Sequence, residues 1–317
     1  GYGKLSRRKV EDLRIGARIE PGESKQDPLD FVLWKAAKPG EPSWSSPWGD
    51  GRPGWHIECS VMSTCCLGDS FDIHGGGMDL KFPHHEDEIA QSCGSFGCNP
   101  ARYWMHANML NVNGQKMSKS FGNYFLPKQI LDGTTGLFEK SYTANVVRFF
   151  MMQAHYRSNL DFTQEALNAS EKGYARLMEG FKTLENLPTT TSSFDVAALI
   201  ASFYKAMNDD FNAPILVANL FEAVKQINLV NDGNAGISAA DKSELKAAME
   251  VFVHEVLGLA PENIATETRL APVMDLVLDL RQQARTNKDW TTSDQIRDGL
   301  AKAGIIVKDG KEGTVWS

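Results

Sequence analysis

The sequence predicts an α/β segment joined to an all-α bundle, with a small α+β module at the C-terminal end. Three observations carry that reading. A short apolar strand, Phe71 to His74, runs into Gly75-Gly76-Gly77 and is followed by a helix led by Pro83. Four later stretches repeat apolar residues at helical spacing: Gln164 to Leu187, Val196 to Met207, Pro214 to Leu229 and Ala239 to Leu257. Near the end, Ile305-Ile306-Val307 and Thr314-Val315-Trp316 flank Asp309-Gly310, the pattern of a β-hairpin.

Composition narrows the class. A chain of 317 residues can hold two or three domains, and an apolar content of 42% is that of a globular protein. A net charge of −7 excludes a protein held to nucleic acid mainly by bulk charge, so any RNA contact must be a local patch. All five cysteines (Cys59, Cys65, Cys66, Cys93 and Cys98) fall in one short window. A secreted disulfide framework would spread them, so a reducing compartment fits better. No signal peptide, internal repeat or apolar run long enough to span a membrane is expected.

Taken in order, Leu5 to Arg14 reads as a short basic helix and Glu20 to Gln26 as a polar loop. Asp27 to Lys35 is an apolar anchor, and a Pro/Ser/Trp-rich connection with Trp44 and Trp48 comes after it. Lys4, Arg7, Arg8 and Lys9 read as a solvated basic face, with RNA contact as the alternative. After the Pro53-Gly54 turn a helix is expected over Ile57 to Leu67, with Cys59 in its first turn, where the helix dipole would favour a thiolate. Pro83 suits the first turn of the next helix, on which His84 and Glu88 share a face. Spacing alone leaves two readings of Cys59, His84 and Glu88 open. They are ligands of types that zinc accepts, or a solvated carboxylate–histidine face beside a core cysteine.

Tyr103 to Asn108 is expected to be a buried strand that brings His106 towards Lys116, and Met109 to Val112 leads into the Asn113-Gly114 turn. The three glycines allow close backbone approach to a ligand, and Asp79 sits just beyond them. Trp55, His74 and Trp104 are candidates to line a pocket, against packed aromatics and a satisfied histidine. Ala144 to Met152 is a helix with a buried apolar face, and His155-Tyr156-Arg157-Ser158 is a loop holding that part against the next domain. Within the bundle, Asn212 is the expected N-cap ahead of Pro214, with Asp209-Asp210-Phe211 as architecture. Beyond an Ala260 to Thr268 linker, Val273 to Arg285 and Thr291 to Lys302 form two helices around an Asn287-Lys288-Asp289 turn, Thr291 capping the second.

Lys116-Met117-Ser118-Lys119-Ser120 resembles the signature loop of class I aminoacyl-tRNA synthetases. A pyrophosphate leaving group develops negative charge that two mobile ammonium groups can neutralise. Around that loop the chain resembles the cysteinyl-tRNA synthetase family over essentially its whole length. The resemblance rests on Gly54 to Cys59, Phe71 to Gly77, Phe82 to Glu86, Tyr103 to His106 and His155 to Ser158. It implies the second half of a Rossmann-like catalytic domain, then a helical bundle and an anticodon-reading module. The implied boundaries are 1–47 for the tail of the connective insertion, 48–115 for the catalytic half and 116–165 for the signature loop and connecting region. The bundle then occupies 166–260 and the terminal module 269–317.

The resemblance also implies a reaction: ATP with Mg2+ and L-cysteine form an adenylate, and the cysteinyl group moves to its tRNA. Cys59, His84 and Glu88 correspond to three of the family's zinc ligands, and that zinc recognises the substrate thiolate. Lys116 and Lys119 take the catalytic role. ATP would also meet Met117, Gly76, Asp79 and His106, while Trp55, His74, Asp79 and Trp104 line the substrate pocket. Arg285, Trp290, Asp294 and Asp309 are the tRNA candidates, by phosphate contact, stacking and base recognition. A cytoplasmic monomer is implied. The family's upstream cysteine and its His-Ile-Gly-His-type ATP motif are absent, so the chain, which starts at Gly1, is read as a fragment inactive alone. A ligase joining cysteine to a sugar amine is the rival enzyme, and a non-catalytic zinc- and tRNA-binding module is the rival from another class.

Overall fold

The computed structural model describes residues 1–9, 27, 30–261, 267–302, 305, 307–310 and 313–316. Chain contacts separate two units, Gly1–Leu259 and Ala260–Ser317. The expected basic helix lies partly, and the Glu20 to Gln26 loop wholly, outside the described residues.

In the first unit, β1 (Trp34–Ala36) pairs antiparallel with β2 (Gly51–Pro53), which ties the apolar anchor to the chain entering α1 (Trp55–Leu67). α1 starts two residues earlier than expected, with Gly54 as its extended N-cap. Cys59 therefore sits in the second turn, beyond the strongest reach of the helix dipole. β3 (Phe71–Gly77) and β4 (Ala101–Ala107) form a parallel pair, with α2 (His84–Phe96) in the crossover. The glycine triplet is itself strand, Gly75 to Gly77 pairing with Met105 to Ala107. Pro83 is the N-cap of α2, following a cis Phe82–Pro83 bond, and is not in the first helical turn.

β4 is not the buried strand expected. Tyr103 is 67% exposed and Ile73 on β3 is 53% exposed, while Ala101 and His106 are buried. Parallel strands are buried when layers cover both faces of a wide sheet; this sheet has two strands. Its interior is polar. Between Trp55 and Ala107 the buried side chains are mainly Ser60, the run His84 to Glu88, Ser92 and His106.

A second sheet is ordered β6–β5–β7, from β5 (Leu110–Val112), β6 (Gln115–Lys116) and β7 (Leu160–Phe162). It adjoins α3 (Pro127–Asp132) and α4 (Ala144–Met152) in the sequence, and Val112, Phe149, Phe150 and Phe162 open the main apolar core. That core continues through α5 (Gln164–Asn186), α6 (Val196–Asn208), α7 (Ala213–Asn231) and α8 (Ala239–Glu250), which a π-helical turn, Val251–Val256, extends. Thr163, Asp195, Asn212 and Ser238 cap α5 to α8, each accepting from a backbone amide three residues on. The expected absence of a long apolar run needs correcting. α7 is long and apolar enough to cross a membrane by length and composition. It is a core helix here, with Leu216, Leu220, Ala223, Val224 and Ile227 fully buried in the bundle.

The loop after α4 docks on the bundle as expected. Tyr156 Oη donates to Asp210 Oδ1 at 2.7 Å, and Arg157 Nε stands 2.8 Å from Asp210 Oδ2. Asp210 and Phe211 both take positive φ, which makes the α6–α7 turn an architectural joint.

The second unit holds α9 (Glu267–Thr286), α10 (Trp290–Lys302) and the antiparallel pair β8 (Val307–Gly310) and β9 (Gly313–Trp316). Asp289, not Thr291, caps α10, its Oδ1 accepting from Thr292 N at 3.1 Å. Asp309-Gly310 is not the hairpin turn. Both residues belong to β8, opposite Thr314 and Gly313, so the register is displaced from the one the sequence suggested.

Candidate functional site

α1 and α2 bring Cys59, His84 and Glu88 together, with donor atoms within 4.8 Å of one another. His84 and Glu88 are 4% and 2% exposed. Placement on α2 explains the pair: residues four apart share a helix face, and His84 Nε2 lies 3.0 Å from Glu88 Oε1. Glu88 Oε1 nonetheless accepts no hydrogen bond. A buried carboxylate oxygen without a donor is costly and asks for a proton or a cation.

Three residues behind this pair orient it. Asp87 Oδ2 lies 3.3 Å from His56 Nε2, and His56 Nδ1 lies 2.7 Å from His84 Nδ1. The Asp87 carboxylate beside His56 Nε2 favours the proton on that nitrogen, which makes His56 Nδ1 the acceptor and His84 Nδ1–H the donor between the two rings. That leaves the lone pair of His84 Nε2 aimed at Glu88. Tyr2 Oη donates to Asp87 Oδ1, while the amides of Leu5 and Ser6 donate to Glu86 at 3.1 and 2.8 Å. The first residues of the chain thus clasp the start of α2, and Arg8 lies over the Phe82 ring at 4.7 Å.

Electrostatics agree with a site prepared for a cation. Burial, followed by the charges of His56 and His74, pushes His84 down to about 4. Burial, then His74, His106 and His84, takes His85 down to about 3. Both imidazoles are neutral near pH 7, the state that binds metals. Glu88 is raised to about 7 by burial and then by Asp87, so it readily holds a proton until a cation displaces it. Cys59 departs from the expectation. Burial, then Glu88 and Glu58, raises its thiol, so the thiolate is favoured only by a neighbouring cation and not by the helix.

The sheet supplies a second layer. His74 Nε2 is 3.4 Å from Glu88 Oε2, and His85 Nδ1 is 2.8 Å from His106 Nε2. His106 is therefore engaged with His85, where the sequence had it directed towards Lys116. Trp55 packs on His84 with centroids 4.2 Å apart, and Trp104 on His74 at 4.7 Å. Trp104 Nε1 is buried without an acceptor. A Cβ on Gly76 would stand 2.7 Å from His85 Cε1, so this position tolerates no side chain. Asp79 is exposed, its Oδ1 turned back towards Gly77. An apolar cavity of about 460 Å³, lined by Phe31, Leu33, Ile57, Val61, Ala90 and Phe96 among others, contains none of these ligating residues.

The signature loop follows a two-residue hairpin. Asn113 and Gly114 take φ of 50° and 78°, the pair of positive values that a type I′ turn requires. Asp161 accepts from Gly114 N at 3.0 and 2.9 Å. Asn123 staples the loop, accepting from Ser118 N at 2.9 Å and donating to Lys116 O at 3.1 Å. Met117 is packed on the core, whereas Lys116 and Lys119 are exposed, with Lys119 Nζ 5.5 Å from the Tyr124 ring centroid.

In the second unit Trp290 is 59% exposed at the start of α10, one turn before Asp294, which pairs with Arg297 at 3.1 Å. Arg285 lies in the last turn of α9. The side chain of Asp309 lies outside the described residues.

Sequence reasoning missed His56, His85, Asp87, Glu86 and Tyr2 as parts of the site. His56 and the His85-Glu86 pair stood inside the motifs quoted, with Asp87 next to them, and histidines and acids crowded at the starts of two helices were the available signal. Tyr2 carried none, being 85 residues from Asp87.

Comparison with known proteins gives three consecutive matches. A model described as tRNA synthetases class I (C) catalytic domain matches residues 1–172, a DALR domain residues 202–261, and a cysteinyl-tRNA ligase anticodon binding domain residues 268–316. The chain is 49% identical to a cysteine–tRNA ligase of Pseudomonas paraeruginosa, covering 100% of this chain and 66% of that protein. It is 48% identical to one from Bacteroides thetaiotaomicron, covering 99% and 66%. The chain thus spans 66% of the length of these curated relatives. A looser likeness joins 69% of it to 33% of an Agrobacterium radiobacter LeuRS chain in a ternary complex with tRNA, at 14% identity and a TM-score of 0.46.

Proposed function

The chain belongs to the cysteine–tRNA ligase family of class I synthetases, and from that premise we propose that it serves ATP-dependent activation of L-cysteine and transfer to tRNA. The observation that carries the reading is the set of half-buried Cys59 and buried His84 and Glu88, with its unpaired carboxylate oxygen. Sulfur, imidazole and carboxylate donors fit Zn2+, and three protein ligands leave a position open. Zinc bound there supplies a soft Lewis acid for a thiolate.

The chain's own residues do the rest. Asp87 and His56 hold the tautomer of His84, and Trp55 and Trp104 wall the site with His74. Gly76 lets the backbone come close to ATP, with Asp79 and His106 beside it. Lys116, Lys119 and the packed Met117 form the loop on which ATP·Mg2+ loses pyrophosphate, the ammonium groups meeting charge that develops in the transition state. Trp290, Arg285, Asp294 and Asp309 are offered to tRNA by the second unit. The match of an anticodon binding domain to residues 268–316 favours tRNA over a sugar amine as acceptor. The enzyme is read as a cytoplasmic monomer.

Selectivity gives the test. Serine differs from cysteine by oxygen for sulfur, and rejecting it by about 10⁴ needs ~5.5 kcal/mol, more than an apolar pocket supplies from size alone. Calorimetric titration of the zinc-loaded chain with L-cysteine and L-serine should show binding of cysteine only, lost in Cys59→Ala. Equal binding of the two amino acids would overturn the reading.

A further inference from the structure

The segment from His155 to Phe162 brackets the strand that leads into the signature loop. Ahead of β5, Asn108 N donates to Tyr156 O at 2.9 Å, and Asn108 Nδ2 donates to Arg157 O at 2.9 Å. Along its length β5 pairs in parallel with β7, Leu110 standing opposite Leu160. Beyond β5, the Asp161 carboxylate accepts from Gly114 N, and Phe162 O accepts from Asn113 N at 3.1 Å. The bracket is itself tied to the bundle at one carboxylate. Asp210 accepts from Tyr156 Oη at 2.7 Å and stands 2.8 Å from Arg157 Nε, with His155 Nε2 3.8 Å away. We propose that Asp210 is a positioning residue for the signature loop, setting the place of Lys116 and Lys119 through Tyr156, Arg157 and Asn108. Its consequence for ATP activation rests on the proposed function; the coupling itself does not.

Two observations carry the proposal, and a third says how the residue acts. The first is the place of Asn108 between the two halves of the nucleotide site. It follows Ala107, whose carbonyl accepts from Met78 N at 2.8 Å just beyond the glycine strand. Its own Oδ1 accepts from Met109 N at 2.8 Å, at the entry to the hairpin. The placement of the two lysines relative to Gly76 is therefore set at this residue.

The second is the strain at the joint. Asp210 and Phe211 are consecutive left-handed residues, with φ of 56° and 54°. That conformation is uncommon for a bulky side chain, and the Phe211 ring, 51% exposed, offsets little of it by burial. What the turn achieves is delivery of the Asp210 carboxylate to the Tyr156 hydroxyl and the Arg157 guanidinium.

The third is exposure. The side chains of Arg157 and Asp210 are 57% and 39% exposed, so their pairing adds little to the stability of the fold. A contact of that kind acts by fixing direction, and catalysis is sensitive to direction: a displacement of about 1 Å, caused far from the chemistry, can slow a reaction by about 10²-fold.

Asp210→Gly tests the proposal, because glycine keeps the left-handed backbone and removes only the carboxylate. In a chain of the relatives' full length, cysteine-dependent ATP–pyrophosphate exchange should lose about 2–30-fold in kcat, with the KM for cysteine and the urea midpoint unchanged. Asn108→Ala should behave alike, and the double variant should be no slower than the slower single one, since both break one relay. Phe211→Asn, which suits the left-handed backbone and spares the carboxylate, should match the wild type. In the chain of 317 residues, trypsin should cleave after Lys116 and Lys119 faster in Asp210→Gly than in the wild type, the bundle being cut at an unchanged rate. Should Asp210→Gly fail to fold, Asp210→Asn retains an acceptor for Tyr156, loses the charge and should show the same pattern with a smaller loss. Wild-type kcat in the folded variant, additive losses with Asn108→Ala, an equal rise in the KM for cysteine, or an equal loss in Phe211→Asn overturns the proposal. An inactive wild type of full length would count instead against the proposed function. Trypsin cleavage would then still decide the coupling, and an unchanged rate after Lys116 and Lys119 would overturn it.

Discussion

Asp87→Asn separates the affinity of the metal site from the stability of the fold, because the two should move in opposite directions. The carboxylate is buried, and burial is the main reason its pKa rises from 3.8 to about 6, against the hydrogen bond from Tyr2. An acid whose folded value is raised costs folding free energy above that value, and the cost vanishes below the unfolded value. For a displacement of this size the cost is at most about 3 kcal/mol near pH 7. The neutral amide escapes it, so the metal-free variant should be as stable as the wild type or more so. Zinc affinity should nonetheless fall. An amide presenting Oδ to His56 keeps the tautomer of His84 but gives up the stronger charge-assisted bond. One presenting Nδ2 forces the proton of His56 onto Nδ1 and that of His84 onto Nε2, where it blocks the ion. Losses at such outer partners are typically 10–100-fold in metal affinity, or about 1.4–2.7 kcal/mol. The assays are competition with a chromophoric chelator for zinc and urea unfolding of the metal-free protein. Unchanged zinc affinity in a folded variant would refute the tautomer relay. A weaker site together with an equally destabilised metal-free fold would show that Asp87 acts only as a structural clasp for Tyr2.

Three further outcomes are expected. Lys119→Ala, placed in a chain of the relatives' full length, should slow cysteine-dependent ATP–pyrophosphate exchange by about 10²–10³-fold with zinc content unchanged, and a parallel collapse of cysteine affinity would count against the phosphate role. In Gly180→Ala the new Cβ would lie 2.7 Å from Val224 Cγ2 where α5 crosses α7. Overpacking of about 1–3 kcal/mol exceeds the roughly 1 kcal/mol of regained helix propensity, so the urea midpoint should fall, and Val224→Ala in the same chain should restore it. Asp241 accepts from the Ser192 and Ser238 hydroxyls, and these bonds hold its pKa below 3.8. A depressed acid stabilises fully above its unfolded value, and that contribution is lost as pH falls through the folded value; Asp241→Asn should be less stable than the wild type near pH 7, with the gap closing below about pH 4.

Legibility from the sequence depended on how local each signal was. The helices of the bundle were readable because each buries an apolar stripe in a core complete within this chain, from Leu167 and Tyr174 to Leu245 and Phe252. Asn113-Gly114 was readable because a type I′ turn is decided by two residues. The hairpin register was not: Asp309-Gly310 has the composition of a turn, yet cross-strand pairing carries it into β8. Burial of β4 was misjudged for a related reason. Apolar character at Tyr103 expresses a capacity to be covered, and coverage depends on layers that no local pattern encodes.

The same distinction runs through the site. Cys59, His84 and Glu88 were found because their residue types and the i, i+4 spacing carry the chemistry of a metal ligand set. The state of Cys59 was misread because the helix dipole is a local argument, whereas burial beside Glu88 is a tertiary one, and the tertiary term raises the thiol. The long-range contacts to α2 escaped altogether. Tyr2 reaches Asp87 across 85 residues, and Leu5 and Ser6 reach Glu86 across comparable distances in the chain. These contacts make a cluster of buried acids tolerable beside neutral histidines. Glu86 receives two amides, Asp87 accepts from Tyr2 with His56 3.3 Å away, and Glu88 alone keeps a bare oxygen. Each acid on α2 thus has its protein donors except the one whose Oε1 faces Cys59 and His84. That asymmetry, more than the motif itself, marks Glu88 as the residue reserved for a cation.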